Sequence, residues 1–317
     1  MIARIVFASL MASTALVAIA QNYPVRPIRI VVATGPGSPD DVNTRMLATK
    51  LSESFGQQVI TENRPGAAGL IGHASVANAK PDGYTLLYAG GSMAGSRYVN
   101  AAYHLDVLRD FAPISLLATG RFMLAVTPSI PARTLREFID LARRHPGKIT
   151  YVTAGLGQTP YWNSHLLNQM AGIKAVEVAY KTSSEAVVDL IAGRVDYFFI
   201  GSAMAVTNKA KLRLLGVSTA TRSPAFPEVP TIAEAALPGY DMPAWGSLMG
   251  PAGMPREIVN TLNAAVVRAM ALPDVRERLA RLGADPFVLP TDTFNAFIRA
   301  EIESAAAIAR AANLKAN

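Results

Sequence analysis

The segment from 28 to 63, IRIVVATGPGSPDDVNTRMLATKLSESFGQQVITEN, decides the fold. Of its first six residues, 28–33, all but Arg29 are aliphatic, most of them β-branched, and they read as a strand. Thr34-Gly35-Pro36-Gly37-Ser38-Pro39-Asp40 follows, built from residues that end strands and cap helices. Over 41–55, Leu47, Leu51 and Phe55 recur at four-residue spacing, the single apolar stripe of an amphipathic helix. Residues 59–62 form a second strand. Strand, crossover helix and strand make the unit from which helix-covered parallel sheets are assembled.

The alternation continues outward, with further strands expected over 85–89, 149–153, 175–179, 195–200 and 212–218. Two helix starts carry a capping box, Thr134 with Glu137 and Thr182 with Glu185. Beyond 255 the character changes to three helical stretches, 256–271, 274–282 and 292–312, separated by Pro and Gly. The expectation is a parallel-sheet α/β protein with a helical C-terminal part. No fixed repeat period runs through the chain, which argues against a solenoid.

With 317 residues, half of them hydrophobic, the chain has enough apolar material for about two packed domains and is not disordered. The net charge of +7 is spread thinly, because charged residues make up only 17% of the chain; nucleic acid is not an expected partner. The absence of cysteine removes thiol catalysis, disulfides, iron–sulfur clusters and thiolate zinc. At the N-terminus, Arg4 precedes sixteen uncharged residues ending in Ala18-Ile19-Ala20. This is the pattern of a secretory signal peptide over 1–20, cleaved after Ala20, and is short for a membrane span.

Three strand-to-helix junctions suit an anion. They are Thr34-Gly35-Pro36-Gly37-Ser38-Pro39-Asp40, Thr153-Ala154-Gly155-Leu156-Gly157-Gln158-Thr159 and Lys181-Thr182-Ser183-Ser184. Each directs the free N–H groups and positive dipole end of the following helix beyond the strand's carboxyl edge, and glycine lets backbone approach a ligand closely. The bland alternative is that each loop only ends a strand and caps a helix. None is a nucleotide fingerprint: Gly155-Leu156-Gly157 lacks a third glycine, and no G-K-S/T occurs. His73, His104, His145 and His165 are too scattered for a metal site and read as surface or capping histidines. Neither cofactor nor metal is expected. A rival reading is a serine hydrolase, since Gly90-Gly91-Ser92-Met93-Ala94 approaches the nucleophile elbow with Ser92. It ends in Ala, however, and no histidine follows His165, where the triad order requires one after the acid. Ser92 then reads as a hydroxyl lining a pocket.

Five ordered motifs carry a resemblance. Tyr23-Pro24-Val25-Arg26-Pro27-Ile28-Arg29, Glu62-Asn63-Arg64-Pro65-Gly66-Ala67-Ala68-Gly69, Lys80-Pro81-Asp82-Gly83-Tyr84-Thr85-Leu86-Leu87, Asp110-Phe111-Ala112-Pro113-Ile114 and Arg222-Ser223-Pro224-Ala225-Phe226-Pro227-Glu228-Val229-Pro230-Thr231 together make the chain similar to the Bug-type receptors of tripartite tricarboxylate transporters. The resemblance runs from Tyr23 to the C-terminus. It implies a two-lobed α/β periplasmic binding protein of type II with two crossovers between lobes. Lobe one would be 21–121 plus 241–317 and lobe two 122–240, with the late helices in lobe one. It also implies a small-molecule carboxylate held between the lobes, delivery to membrane permease subunits, a monomeric state and no chemistry on the ligand.

Carried onto this sequence, the resemblance places the ligand among Thr34, Gly35, Gly37, Ser38 and Asp41 of the first loop and Ala154, Gly155, Gly157, Gln158 and Thr159 of the second, with Ser92, Lys181 and Thr182 nearby. Several positions depart from the family pattern. The first loop keeps Asp41 but loses an aromatic residue. Ile200-Gly201 stands where an Asp is common, which disfavours an amino-acid ligand. Tyr161 and Trp162 replace the commoner His-Leu and either pack between helix and sheet or stack on an aromatic acid. Mass spectrometry of the exported protein should find a mature N-terminus at Gln21; retention of residues 1–20 would contradict the signal-peptide reading.

Overall fold

Two sheets form because the strands that alternate with helices divide into two sets, and the chain passes twice between them. The computed structural model describes residues 23–153, 155–180, 182–281, 284–286, 291–314 and 316. The expected signal peptide and the proposed ligand residues Ala154 and Lys181 lie outside the described residues. The first part runs β1 (Ile28–Val32), α1 (Pro39–Phe55), β2 (Val59–Asn63), α2 (Leu70–Ala77), β3 (Thr85–Gly90), α3 (Ser92–Gly95), α4 (Val107–Asp110) and β4 (Phe111–Gly120). Then come β5 (Phe122–Val126), α5 (Leu135–Arg144), β6 (Thr150–Thr153), α6 (Thr159–Ala171), β7 (Val176–Ala179), α7 (Ser183–Ile191), β8 (Tyr197–Gly201), α8 (Ser202–Asn208), β9 (Arg213–Val217) and α9 (Ile232–Ala235). The chain closes with β10 (Ala244–Pro251), α10 (Arg256–Ala271), α11 (Pro273–Arg281), β11 (Ala284–Pro286) and α12 (Thr291–Ala311).

One sheet has the order β11-β4-β10-β3-β1-β2 and the other β7-β6-β8-β5-β9. The strands expected from sequence appear within a residue or two of their limits, and β1–β2, β1–β3, β6–β7 and β6–β8 are parallel. The sheets are nevertheless mixed: β10 runs antiparallel to β3 and β4, and β5 antiparallel to β8 and β9. The cause is the crossing. Only Arg121 separates β4 from β5, leaving no room for a helix, so the chain enters the second sheet at the end where β6 and β8 finish. On the return, Met242 donates its N–H to the Ser218 carbonyl, Ser218 donates to the Phe122 carbonyl, and Ala244 pairs with Gly120. Both crossovers therefore run side by side.

The strands β4, β5 and β10 were not expected from sequence. In β4 and β10, Pro113, Gly246, Gly250 and Pro251 suppress the strand signal. Their reasons are local: the Tyr88 hydroxyl fills the space where a side chain at Gly246 would stand, Met254 does so at Gly250, and the register shift at Leu248/Met249 falls opposite Pro113. Of the two expected capping boxes, Thr134–Glu137 forms in full; Thr182 accepts the Glu185 N–H. Thr231 with Glu234 makes a further complete box at the start of α9.

Helices cover both faces of each sheet. Ile30, Leu47, Leu51 and Leu262 lie in the core on one face of the first sheet, and Leu87, Phe111, Trp245 and Phe294 on the other. The second sheet is packed by Phe138, Tyr197, Phe199 and Tyr240 on one side and by Val152, Leu190 and Phe198 on the other. Helix α12 is shared: Phe294 and Ile298 belong to a first-sheet core, whereas Ile308 and Ala309 belong to a second-sheet core. Among the described residues, no helix is long and apolar enough to cross a membrane.

The lobes meet tightly at two tryptophans. The Trp162 indole stands where a side chain on Gly95 would be, donates to the Gly157 carbonyl at 2.8 Å, and is 4% exposed. Tyr161 is buried against Trp162 and His165. Both aromatics are thus engaged in packing rather than stacking on a ligand. Trp245 stands beside the same seam, near Gly91, and donates Nε1–H to Glu301 at 2.6 Å within its own lobe.

Two histidines differ from expectation. His73 is buried, with Nδ1 2.9 Å from the Tyr103 hydroxyl, because α2 turns it inward from the loop after β2; burial pushes its pKa down to about 4. His165 is half-buried between Tyr151 and Tyr161, and burial lowers its pKa as well. His104 is exposed, and His145 caps the end of α5, as expected.

Two predictions follow from this packing. Folded His73 stays neutral where the unfolded chain protonates, so stability falls as pH drops below about 6.5 and the loss is complete below about 4. The His73 contribution is about 3 kcal/mol, and urea denaturation across pH 4–8 should show a flatter profile for His73→Gln. In Gly95→Ala, better helix propensity contributes about 0.5–1 kcal/mol, but overlap with the Trp162 ring costs about 1–3 kcal/mol. A net loss is expected in the denaturation midpoint, and a gain would refute the close seam.

Candidate functional site

The first loop is organised by Asp41. Ser38 caps α1, its Oγ accepting the Asp41 N–H at 3.2 Å and lying 2.7 Å from Thr34 Oγ1. The Asp41 carboxylate accepts the Gly37 N–H at 2.8 Å, Arg45 Nε at 3.1 Å and Asn63 Nδ2 at 2.9 Å, and Asn63 Nδ2 also reaches the Thr34 carbonyl. Burial opposes ionisation of Asp41, but the hydrogen bonds from Arg45, Gly37 and Asn63 outweigh it and hold the carboxyl below its usual range. This closed network serves the loop itself. The Gly37 amide is taken up by Asp41 and the Ser38 amide by the Gly35 carbonyl at 3.3 Å. The amides of Gly35 and Asp40 have no partner among the described residues. Arg45 and Asn63 were not singled out as loop residues in the sequence, although Asn63 lies in the Glu62-Asn63-Arg64-Pro65-Gly66 motif.

The second loop leaves β6 and enters α6. Gly155 and Gly157 adopt φ of 109° and 73°, a region that residues with a Cβ rarely occupy. Gln158 donates its N–H to the Gly155 carbonyl, closing the turn, and its own carbonyl accepts from Tyr161 and Trp162. The amides of Leu156, Gly157 and Thr159 then remain without a partner among the described residues, as does the Thr159 hydroxyl. These groups stand at the N-terminus of a thirteen-residue helix.

Both loops converge on the end of β3. A methyl group built on Gly91 would lie 3.4 Å from Thr159 Oγ1, and one on Gly90 would lie 3.1 Å from Asp40 Oδ2. Gly90-Gly91 is therefore the floor that α1 of one lobe and α6 of the other both reach. Ser92 follows at once as the first residue of α3 and is half-buried. Asp40 adds a negative group to this floor: burial pushes its pKa up to about 6. Beside it, burial and then the Asp40 charge raise the Tyr88 hydroxyl out of its usual range.

The third loop stands apart in chemistry. The Thr182 hydroxyl is exposed and caps α7 by accepting from Glu185 at 3.2 Å. Beside the floor, a small void is lined by residues that include Gly91, Gly95, Thr159, Trp162, Asp241 and Glu301. Burial, and then Asp241, raise the pKa of Glu301 against the lowering effect of Trp245. No histidine is engaged with Ser92: His73 bonds Tyr103, His104 bonds the Ala102 carbonyl, and Nε2 of His165 is buried without a partner among the described residues. Also among the described residues, no group of three or more His, Asp or Glu side chains is placed to hold a metal ion.

Comparison with known proteins agrees with this architecture. Residues 43–314 match the model of the tripartite tricarboxylate transporter family receptor. Protein BugT of Bordetella pertussis is 32% identical over 300 residues, covering 93% of this chain and 92% of that protein. An R. palustris protein solved with adipate superposes with a TM-score of 0.84 at 31% identity, covering 93% of this chain and all of the other. MatC of Rhodopseudomonas palustris, solved with bound malate, gives a TM-score of 0.80 at 30% identity over 90% of this chain and all of the other. Sheet order, paired crossovers and these likenesses lead to one conclusion: the chain belongs to the receptor family of tripartite tricarboxylate transporters, the Bug-type periplasmic binding proteins.

Proposed function

We propose that this protein is an extracytoplasmic receptor that captures a small organic carboxylate between two lobes and hands it to the membrane permease subunits of a tripartite transporter. The observation that carries the reading is the convergence on Gly90-Gly91 of two helix N-termini from opposite sheets, each bringing backbone amides that the protein leaves without partners. Such amides bind a carboxylate through hydrogen bonds assisted by its charge, and a dicarboxylate engages both lobes at once. Waters can complete the set at little cost, so one floor accepts acids of different length. Adipate and malate in related structures support this ligand class.

The lobes are taken as 21–121 plus 241–317 and 122–240, a division supported by the strand membership of the two sheets and by the crossings at Arg121 and near Tyr240. The ligand groups are Thr34, Gly35, Asp40 and Ser92 on one side and Gly155, Gly157, Gln158 and Thr159 on the other. Asp41, Gly37 and Ser38 act by shaping the first loop, and Thr182 by capping α7. The reading includes export to the periplasm with cleavage after Ala20, a monomer, and no chemistry on the bound acid. The seryl hydrolase alternative is weakened by the partners that His73 and His104 already have.

A thermal-shift screen over mono-, di-, tri- and aromatic carboxylates tests the reading. The cognate acid at 100 times its Kd should stabilise the protein by about 2.7 kcal/mol. Trp162 and Trp245 lie at the seam, so their fluorescence should change with binding. Absence of any stabilising acid, together with fluorophosphonate labelling of Ser92, would replace the receptor by a hydrolase.

A further inference from the structure

Two acids open α1, and they do opposite things. Asp41 is held by Arg45, Asn63 and the Gly37 amide. The carboxylate of Asp40 has neither a hydrogen bond nor an ion pair among the described residues, and only its backbone carbonyl is engaged, by the Thr44 hydroxyl. Its oxygens lie against Gly90, one residue from the place where Thr159 of the other lobe reaches Gly91. One turn further along the same helix, Asn43 Oδ1 is buried without a partner among the described residues. An ionised, unpaired carboxylate there would repel the anion that the surrounding amides attract.

Resting on the carboxylate-receptor reading above, we infer that Asp40 is a ligand-binding residue that works as a neutral carboxyl group, donating a hydrogen bond to the captured carboxylate, so that each anion bound brings one proton from solvent with it. The proton gained by Asp40 offsets the charge of the one carboxylate group that it meets; the second charge of a dicarboxylate is left to the amides of the other loop. The acid facing Asp40 from β3 is Tyr88, which stays neutral because burial and the Asp40 charge both raise its pKa; on α1 itself, Asp41 stays ionised against Arg45. Burial alone already moves Asp40 up to about 6, and a neighbouring anion moves it further in the same direction. The bound state thus keeps its proton to higher pH than the free state, and affinity falls as pH rises through about 6.

Isothermal titration with malate and with adipate, at pH 6, 7 and 8 in buffers of contrasting ionisation enthalpy, tests this. Carboxylates of this kind are largely ionised throughout that range, so the titration read is the protein's. Wild type should take up close to one proton per ligand at pH 7, with Kd rising toward tenfold per pH unit above 6. Asp40→Asn, similar in shape and checked by thermal melting, should bind with no proton uptake and a flat pH profile. Proton uptake near zero in wild type, with affinity as flat as in Asp40→Asn, would overturn the inference while leaving the receptor reading intact. So would tighter binding of aspartate than of malate that is lost in Asp40→Asn, since Asp40 would then be an ionised partner for an ammonium group. Failure of folded wild type to bind any carboxylate at any of these pH values would instead remove the receptor reading, and this inference with it.

Discussion

A loop that leaves amides bare, as the proposed ligand loop does, needs its other polar atoms satisfied from within, and in this protein that constraint falls on Asp41. Its two carboxylate oxygens gather Gly37, Arg45 and Asn63, while Asn63 also fastens the Thr34 carbonyl. The first loop is thereby fixed in one shape, with the Gly35 and Asp40 amides left outward. Preorganised donors bind anions better than mobile ones because little ordering remains to be done on capture. The second loop reaches the same end differently, through two glycines in left-handed backbone and a turn closed by Gln158.

The seam is where geometry becomes function. Trp162 stands where a side chain on Gly95 would be and Thr159 reaches Gly91, which brings backbone from one lobe against side chains from the other, while Asp40 lies against Gly90 within its own lobe. Helix α12 ties both cores together, and the paired crossovers leave a narrow connection between sheets. A joint of two adjacent strands suits hinge closure, in which a few residues absorb the change while each lobe moves as a body. Tyr240, buried beside the second crossover and donating to Asn163 of α6, anchors the joint to the second lobe.

The buried acids and histidines are divided by the same logic. Where a partner was supplied, as for Asp41, the group stays charged. Where burial comes without a counter-charge, as for Asp40 and His73, the balance shifts toward the neutral form. On the proposed reading, the floor of the site combines unpartnered amides with an acid that is compatible with an anion when it holds its proton.

Much of this was legible before any coordinates. Periodicity placed the helix over 41–55 and the parallel strands, since a 3.6-residue repeat and a β-branched run report local structure directly. The Thr134 capping box and the two glycine loops were equally local and appear where expected. Chain crossing was not legible: β4 and β10 carry Gly and Pro that weaken a strand in isolation, and only contact with Tyr88 and Met254 explains the glycines Gly246 and Gly250. Nor could sequence separate Asp40 from Asp41. Adjacent helical residues point about 100° apart, and which one meets an arginine and which meets the end of β3 is decided by how α1 packs on the sheet.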